Sequence, residues 1–328
     1  MKALVTGASG FTGSRLCAHL RDVGYEVRAL VRSSSNLQRL SGIDVELAQA
    51  DLADDSPLDE ALEGVDVVFH VAAAFRSEGI PLAVFRATNA DGTRRLLEAA
   101  EQVGVHRFLH TSTVGVQGHI DEGPADEQYR FNPGDHYQRT KLEGERIALD
   151  FAASGRVPVT VVRPAGIYGP GDLRFLKLFR FVRNGRFRMI GSGEVRYHFT
   201  YVDDLVRGMR VAAEHPDAPG EVFTIGGRDA VTLNRLVEII AGILGVEPPR
   251  HRLRIPVAPV MAAATVCEWI CRPFGIDPPL FRRRVDFFTH NRWFDISKAE
   301  RVLGFTADVG LEEGLRRMAD WYRIEGLL

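Results

Sequence analysis

Cysteine is scarce in this chain of 328 residues: Cys17, Cys267 and Cys271 are the three present. Three make no disulfide framework. Cys267 and Cys271 stand one helical turn apart without a histidine cluster, so no metal site is expected. All three read as small buried hydrophobes in a reducing compartment. Charge of one sign is lacking too. The 41 Lys and Arg against 43 Asp and Glu leave a formal net charge of −2, which offers nucleic acid or another polyanion no footprint. No run reaches the ~20 apolar residues that span a bilayer. The apolar opening of the chain is only a buried strand long, which is not a secretory leader, so a cytoplasmic location is expected. Internal repeats and low-complexity linkers are missing as well. What is there is an ordinary globular composition, 45% hydrophobic and 26% charged. The length suits one large α/β domain with a smaller lobe.

The strongest pattern occupies residues 1–13. Lys2 to Thr6 reads as a short buried strand, and Ser14 to Arg21 has helical periodicity. Between them lie Gly7, Ser9, Gly10, Phe11, Thr12 and Gly13. Strand, glycine turn and helix make a phosphate-binding opening: Gly7 permits the tight turn, Gly10 lets a pyrophosphate approach, and Gly13 lets helix and strand pack closely. The helix start adds unpaired N–H groups and a positive dipole end. The competing reading is an ordinary βα turn that needed glycine.

Strands follow at Glu26–Val31, Val45–Gln49, Val65–His70, His106–His110 and Pro158–Arg163, separated by helices starting at Pro57, Asn89 and His136. Repeated βα units imply a doubly wound parallel α/β sheet of the Rossmann type. Past Pro164 the chain reads as irregular near Tyr168–Asp172. A helix is expected near Phe175–Asn184, another starting from Phe199–Asp204, a last strand at Glu221–Ile225 and a helix over Thr232–Leu244. The expected division is a dinucleotide-binding domain over 1–165 plus about 200–228, interleaved with a substrate lobe over 166–199 and 229–328.

Several strand ends carry candidate chemistry. Arg32, after the second strand, suits a ribose 2′-phosphate and points to NADP, whereas an acidic residue there would favour NAD; the alternative is a solvated surface arginine. Val71, Ala72 and Ala73 are small enough for a cofactor to lie against backbone. His70 reads as a satisfied structural histidine. Thr111, Ser112 and Thr113 end the fifth strand, where Thr113 or Ser112 would orient a substrate oxygen. Tyr137 and Lys141 stand at i and i+4 on one helix face. A free tyrosine, with a pKa of about 10, is a poor base at neutral pH. A nearby ammonium stabilises its phenolate and makes the pair a general acid/base for a hydroxyl proton during hydride transfer.

With these motifs in order, the sequence resembles the extended short-chain dehydrogenases/reductases, the NAD-dependent epimerase/dehydratase family, over nearly its whole length. The motifs are Thr6–Gly13, Asp51–Leu52, His70–Ala73, Asn89–Thr93, Thr111–Thr113, Tyr137 with Lys141, Arg163–Pro164, Tyr168–Pro170, Tyr201–Asp204 and Asp295–Phe305. The resemblance implies that Thr113 orients substrate, Tyr137 is the acid/base and Lys141 lowers its pKa. It implies that Asp51 and Leu52 meet adenine, that Pro164, Gly166 and Ile167 lie along the nicotinamide, and that helices 91–102 and 137–152 pair two copies into a homodimer.

Within the family, Val114-Gly115 stands where dehydratases carry Asp-Glu. Ala165–Ile167, Tyr197–Phe199 and Asn291–Trp293 lack the nucleotide-sugar clamp pattern. Arg163–Pro170 and Phe199–Val202 are similar to the 3β-hydroxysteroid and sterol dehydrogenase branch, and the Arg32 neighbourhood to dihydroflavonol-reductase-like members. The leading expectation is an NAD(P)-dependent oxidoreductase for a secondary alcohol or ketone of an apolar small-molecule substrate, with NADP favoured over NAD. The alternatives are a nucleotide-sugar 4-epimerase with tightly bound NAD and a cofactor-binding regulatory protein without turnover. Pro256–Cys271 is a late apolar stretch flanked by Arg252, Arg254, Arg272 and Arg282–Arg284. It is expected to pack on the core with its arginines solvated. The sharper alternative is that it lines an apolar cleft and touches a membrane surface.

Overall fold

The computed structural model describes residues 1–54, 56–75, 80–249, 254–271 and 282–328. Its strands there are β1 (Lys2–Thr6), β2 (Glu26–Val31), β3 (Glu46–Gln49), β4 (Val67–His70), β5 (Arg107–Thr111), β6 (Val159–Pro164), β7 (Gly166–Tyr168), β8 (Arg196–Tyr201), β9 (Val222–Ile225) and β10 (Ala230–Thr232). The helices are α1 (Phe11–Asp22), α2 (Asp59–Leu62), α3 (Leu82–Arg86), α4 (Gly92–Val103), α5 (His136–Ala153), α6 (Leu176–Arg183), α7 (Val202–Glu214), α8 (Leu233–Leu244), α9 (Val257–Cys271), α10 (Arg282–Thr289), α11 (Ser297–Leu303) and α12 (Leu311–Ile324).

The main sheet runs β3-β2-β1-β4-β5-β6-β9, and every neighbouring pair in it is parallel. Apart from the exposed edge strand β3, its strands are largely buried on both faces, which is why they read as mostly apolar runs. The period of two still sorts their side chains. Ala3, Val5, Val67, Phe69 and Leu109 join one core with Leu16 and Leu20 of α1 and Leu205 and Met209 of α7. Leu4, Val68, Phe108, Val159 and Val161 join the other with Leu96 and Leu97 of α4 and Ala148 and Phe151 of α5. Strand order reverses between β1 and β4, so a crevice opens at the carboxyl ends of the strands.

The second sheet, β10-β8-β7, is a feature that sequence periodicity did not reveal. Phe199–Tyr201 closes strand β8 and the helix begins only at Val202, so a helix starting at Phe199 is corrected, as is the reading of Glu221–Ile225 as the last strand. The cause is burial on both faces of a short strand. Tyr197, Phe199 and Tyr201 enter the lobe core with Phe179, Leu236 and Tyr322, while His198 and Thr200 are buried on the other side. No apolar–polar alternation survives to mark it. Among the described residues no helix is long and apolar enough to cross a membrane.

Candidate active site

A cleft of about 1790 Å³ runs along the carboxyl edge of the main sheet. Every residue expected to bind cofactor or substrate lines it: Gly7, Ser9, Gly10, Phe11, Thr12, Gly13, Arg32, Asp51, Leu52, Val71, Ala72, Ala73, Thr111, Ser112, Thr113, Tyr137, Lys141, Pro164, Gly166 and Ile167.

The glycine turn is fixed by close approach. Gly7 has φ +68°, and a Cβ on it would lie 2.8 Å from the Ala72 backbone. A Cβ on Gly13 would lie 2.1 Å from the Gly7 carbonyl oxygen, so α1 rests directly on the turn. Gly10 N–H closes that turn onto the Gly7 carbonyl at 3.0 Å and Gly10 caps α1 without a side chain. The first N–H groups of α1 are thereby left to the cleft, as an anion site requires.

The segment after β4 is tied at both ends. Thr6 Oγ1 accepts from the N–H groups of Val71 and Ala72 at 3.2 and 3.1 Å. Asn89, fully buried, holds Ala74 through both amide atoms and donates to Thr140 of α5. His70 sits between Thr6 Oγ1 and Thr93 Oγ1 at 2.8 and 2.9 Å. Burial pushes its pKa down to about 3, so the ring is neutral and structural, as its sequence context suggested.

Tyr137 and Lys141 rise from the first turns of α5, which Asp135 caps by accepting from Gln138 N–H at 2.7 Å. The Tyr137 ring meets Phe75 edge-on with centroids 5.2 Å apart. Lys141 is 1% exposed, and its Nζ is buried without a hydrogen-bond partner. Burial lowers its pKa to about 8, partly opposed by the Glu145 carboxylate. A buried ammonium without a partner is costly; hydroxyls of a bound nucleotide ribose are the groups that would satisfy it. The glycine cradle and this orphaned ammonium together fit an NAD(P) cofactor. Thr113 Oγ1 accepts from Gly115 N–H at 3.1 Å, leaving its own proton for a substrate oxygen.

Ser112 differs from its neighbour. Its hydroxyl donates to Glu145 Oε2 at 2.5 Å, and Glu145 also takes Arg163 through Nη2 at 2.5 Å and Nε at 3.1 Å. Arg163 Nη1 reaches the Glu127 carbonyl, and Glu127 Oε1 accepts from Thr224 N–H. This buried network ties the ends of β5, β6 and β9 to α5. Ser112 lines the cleft, but its hydroxyl proton goes to Glu145 and not to the space beside Thr113. Glu145 was not singled out; its position one turn beyond Lys141 was the available signal.

At the β2–β3 end of the cleft, Asp51 Oδ1 accepts from Ala53 N–H at 2.9 Å, and a Cβ on Gly92 would lie 2.5 Å from the Leu52 carbonyl oxygen. Arg32 is exposed; its backbone N–H donates to Ser35 Oγ. Arg39, missed by sequence reading, lines the same end. It stands over the Phe11 ring at 5.9 Å and donates to the Gly171 carbonyl at 2.9 Å, linking the sheet to the lobe.

Beyond those residues the cleft is lined by Phe75, Val84, Val114, Phe199, Phe287 and Phe294, by Met261 and Glu268 from α9, and by polar and charged groups that include Gln138, Arg174, Arg282, Asp286 and Arg292. Helix α9 therefore reaches the cleft and does not bury its apolar face on the core, because Val266, Trp269 and Ile270 remain 55%, 79% and 52% exposed. Cys267 and Cys271 are only half-buried, a second correction; Cys17 is buried. Arg254 is exposed and Arg282 pairs with Glu268. Arg252, Arg272 and the side chains of Arg283 and Arg284 lie outside the described residues.

A model of the NAD dependent epimerase/dehydratase family matches residues 3–226. The chain is 31% identical to the 3 beta-hydroxysteroid dehydrogenase/Delta 5-->4-isomerase of Mycobacterium tuberculosis, covering 98% of this chain and 90% of that one. It is 30% identical to sterol demethylase protein B of Methylococcus capsulatus over the whole of both chains. The solved UDP-glucuronic acid 4-epimerase of Bacillus cereus, in complex with NAD, superposes with a TM-score of 0.78 at 26% identity and 99% coverage of both chains.

Proposed function

The chain belongs to the NAD-dependent epimerase/dehydratase family, and from that premise we propose that it interconverts a secondary alcohol and a ketone on an apolar small molecule, with NADP preferred. Membership makes it an NAD(P)-dependent enzyme of the extended short-chain dehydrogenase type. When bound, NAD(P) supplies the hydride acceptor or donor. Thr113 donates a hydrogen bond to the reacting oxygen, and Tyr137 takes or gives that oxygen's proton. Lys141 stabilises the phenolate and holds the ribose, while Ser112, Glu145 and Arg163 keep the strand end and α5 in register.

The observation that carries the substrate class is the aromatic and aliphatic lining from Phe75 and Val84 to Phe287 and Phe294. The absence of an Asp-Glu pair after Thr113 removes the acid and base of dehydration. The sterol enzymes among the relatives fit this reading. A second reading, a nucleotide-sugar epimerase, is favoured by Arg292, a cation among the cleft-lining residues whose guanidinium donates to the Tyr197 hydroxyl and stands over that ring at 5.2 Å. Calorimetry against UDP, dTDP and a panel of steroid and terpenoid alcohols separates the two. Binding of apolar ligands alone supports the first; micromolar UDP or dTDP binding with no apolar ligand reverses the order.

Arg32, an exposed cation among the cleft-lining residues after β2, supports the NADP preference. The same reading makes the protein a homodimer through α4 and α5, with no nucleic-acid partner; peripheral membrane contact forms no part of it.

A further inference from the structure

His119, Asp286 and His290 come together at the substrate wall of the cleft, from segments far apart in the chain. One ligand atom from each, a ring nitrogen or a carboxylate oxygen, lies within 4.8 Å of the others. The two imidazoles stack with centroids 3.8 Å apart and planes 18° from parallel. His290 Nδ1 is 3.7 Å from Asp286 Oδ1. His119 and Asp286 both line the cleft.

The backbone builds this arrangement. Asp286 lies on α10 and His290 just past its end, at the i, i+4 spacing that places two ligands on one side of a helix. Ile120 N–H donates to the Asn291 carbonyl at 3.1 Å, so the residues directly before them, His119 and His290, are brought side by side. Ala125 and Trp293 continue the same ladder at 3.0 Å, and Asp295 donates back to Ala125 at 2.8 Å. The pairing is therefore held by main chain on the carboxyl side of both histidines.

The donors suit a borderline-soft metal. Imidazole and carboxylate are the ligand types of catalytic zinc sites, which use three protein ligands and keep a fourth position open. His119 Nδ1 is buried and has no hydrogen-bond partner. Zinc places tetrahedral ligand atoms about 3.3 Å apart and sits in the plane of each imidazole, so binding requires the two stacked rings to turn apart and His290 Nδ1, if it is the ligand atom, to leave Thr289 Oγ1. Arg292 is the nearby charge that opposes a cation, and Asp286 the one that favours it.

We propose that His119, Asp286 and His290 form a divalent transition-metal site of the zinc class on the substrate wall, its open position facing the cleft. The site joins the loop that follows Thr113 to the lobe helix α10, so metal would clamp the two sides of the cleft together. This does not depend on the substrate reading.

Isothermal titration of the full chain with zinc chloride tests it. The wild type should bind one zinc per chain and melt at higher temperature with it, since a ligand that binds only the folded state stabilises it. His290→Ala, His119→Ala and Asp286→Asn should each weaken binding beyond the roughly tenfold that loss of a supporting contact costs, while keeping cofactor affinity. Cobalt on the wild-type chain should give the visible absorption of a four- or five-coordinate ion, which needs no variant to fold. Absence of saturable zinc binding, an octahedral cobalt spectrum, or affinity unchanged in all three variants overturns the proposal.

Discussion

Ser112 gives its hydroxyl proton to the buried Glu145 carboxylate across 2.5 Å, and Arg163 grips the same carboxylate from the other side. The hydroxyl proton of the residue beside Thr113 is therefore already committed, and we propose a supporting role for Ser112. Ser112→Ala should cost roughly 1.5–3 kcal/mol of stability, as loss of a hydrogen bond to a charged group does, with kcat changed only a few-fold. Glu145→Gln should cost more, about 3–5 kcal/mol, because Arg163 is left as an uncompensated buried charge. Denaturant unfolding beside steady-state kinetics reads both. A Ser112→Ala variant with full stability and abolished turnover would return Ser112 to the catalytic set.

Lys141 should stabilise the complex at the expense of the cofactor-free enzyme. Its pKa falls from 10.5 to about 8 on burial. Between those values the unfolded chain holds a proton that the folded chain has released, so stability of the cofactor-free protein rises with pH across that window. Below about 8 the penalty is fully present, on the order of 3 kcal/mol. Lys141→Met should therefore raise the melting temperature of the cofactor-free enzyme at pH 7, with the advantage shrinking between pH 8 and 10.5. NAD(P) affinity and turnover should fall together. A variant less stable than wild type at pH 7 would contradict this.

Arg32 should decide between the two nicotinamide cofactors through a charge-assisted contact with a 2′-phosphate. Arg32→Glu should reverse the preference, read as the ratio of Kd values for NADP and NAD. Equal affinity for both in the wild type would make Arg32 a surface residue.

If α4 and α5 of two copies pair as proposed, the protein is a homodimer in solution. Multi-angle light scattering at micromolar concentration should return twice the chain mass of 36.4 kDa. A monomer at that concentration contradicts the proposal.

The main sheet was legible because its signals are local. Glycine at 7, 10 and 13 marks a turn that steric contact demands, and each parallel strand is a short apolar run between helical periods. Tyr137 and Lys141 were legible from helix spacing once the strand end at Thr111–Thr113 was placed upstream. The small sheet was not, since Tyr197–Tyr201 is buried on both faces and its partners are distant in sequence. For the same reason Glu145 with Ser112, Arg39 with Gly171, and His119 with His290 were invisible: each pair is made by a crossover of the fold. Helix α9 misled because an apolar stretch normally implies a buried face, whereas here Trp269 points outward.

The central claim is net redox chemistry on an apolar alcohol or ketone with Tyr137 as acid/base. The direct measurement is the change in reduced-nicotinamide absorbance when wild type and Tyr137→Phe meet the same panel of steroid and terpenoid alcohols and ketones, with UDP-sugars alongside. The account predicts substrate-dependent, stoichiometric interconversion of NADP and NADPH by the wild type with an apolar substrate. Tyr137→Phe should still bind cofactor yet turn over roughly 10²–10⁴-fold more slowly. Conversion of a UDP-sugar without net change in cofactor, or turnover unaffected by Tyr137→Phe, would contradict it.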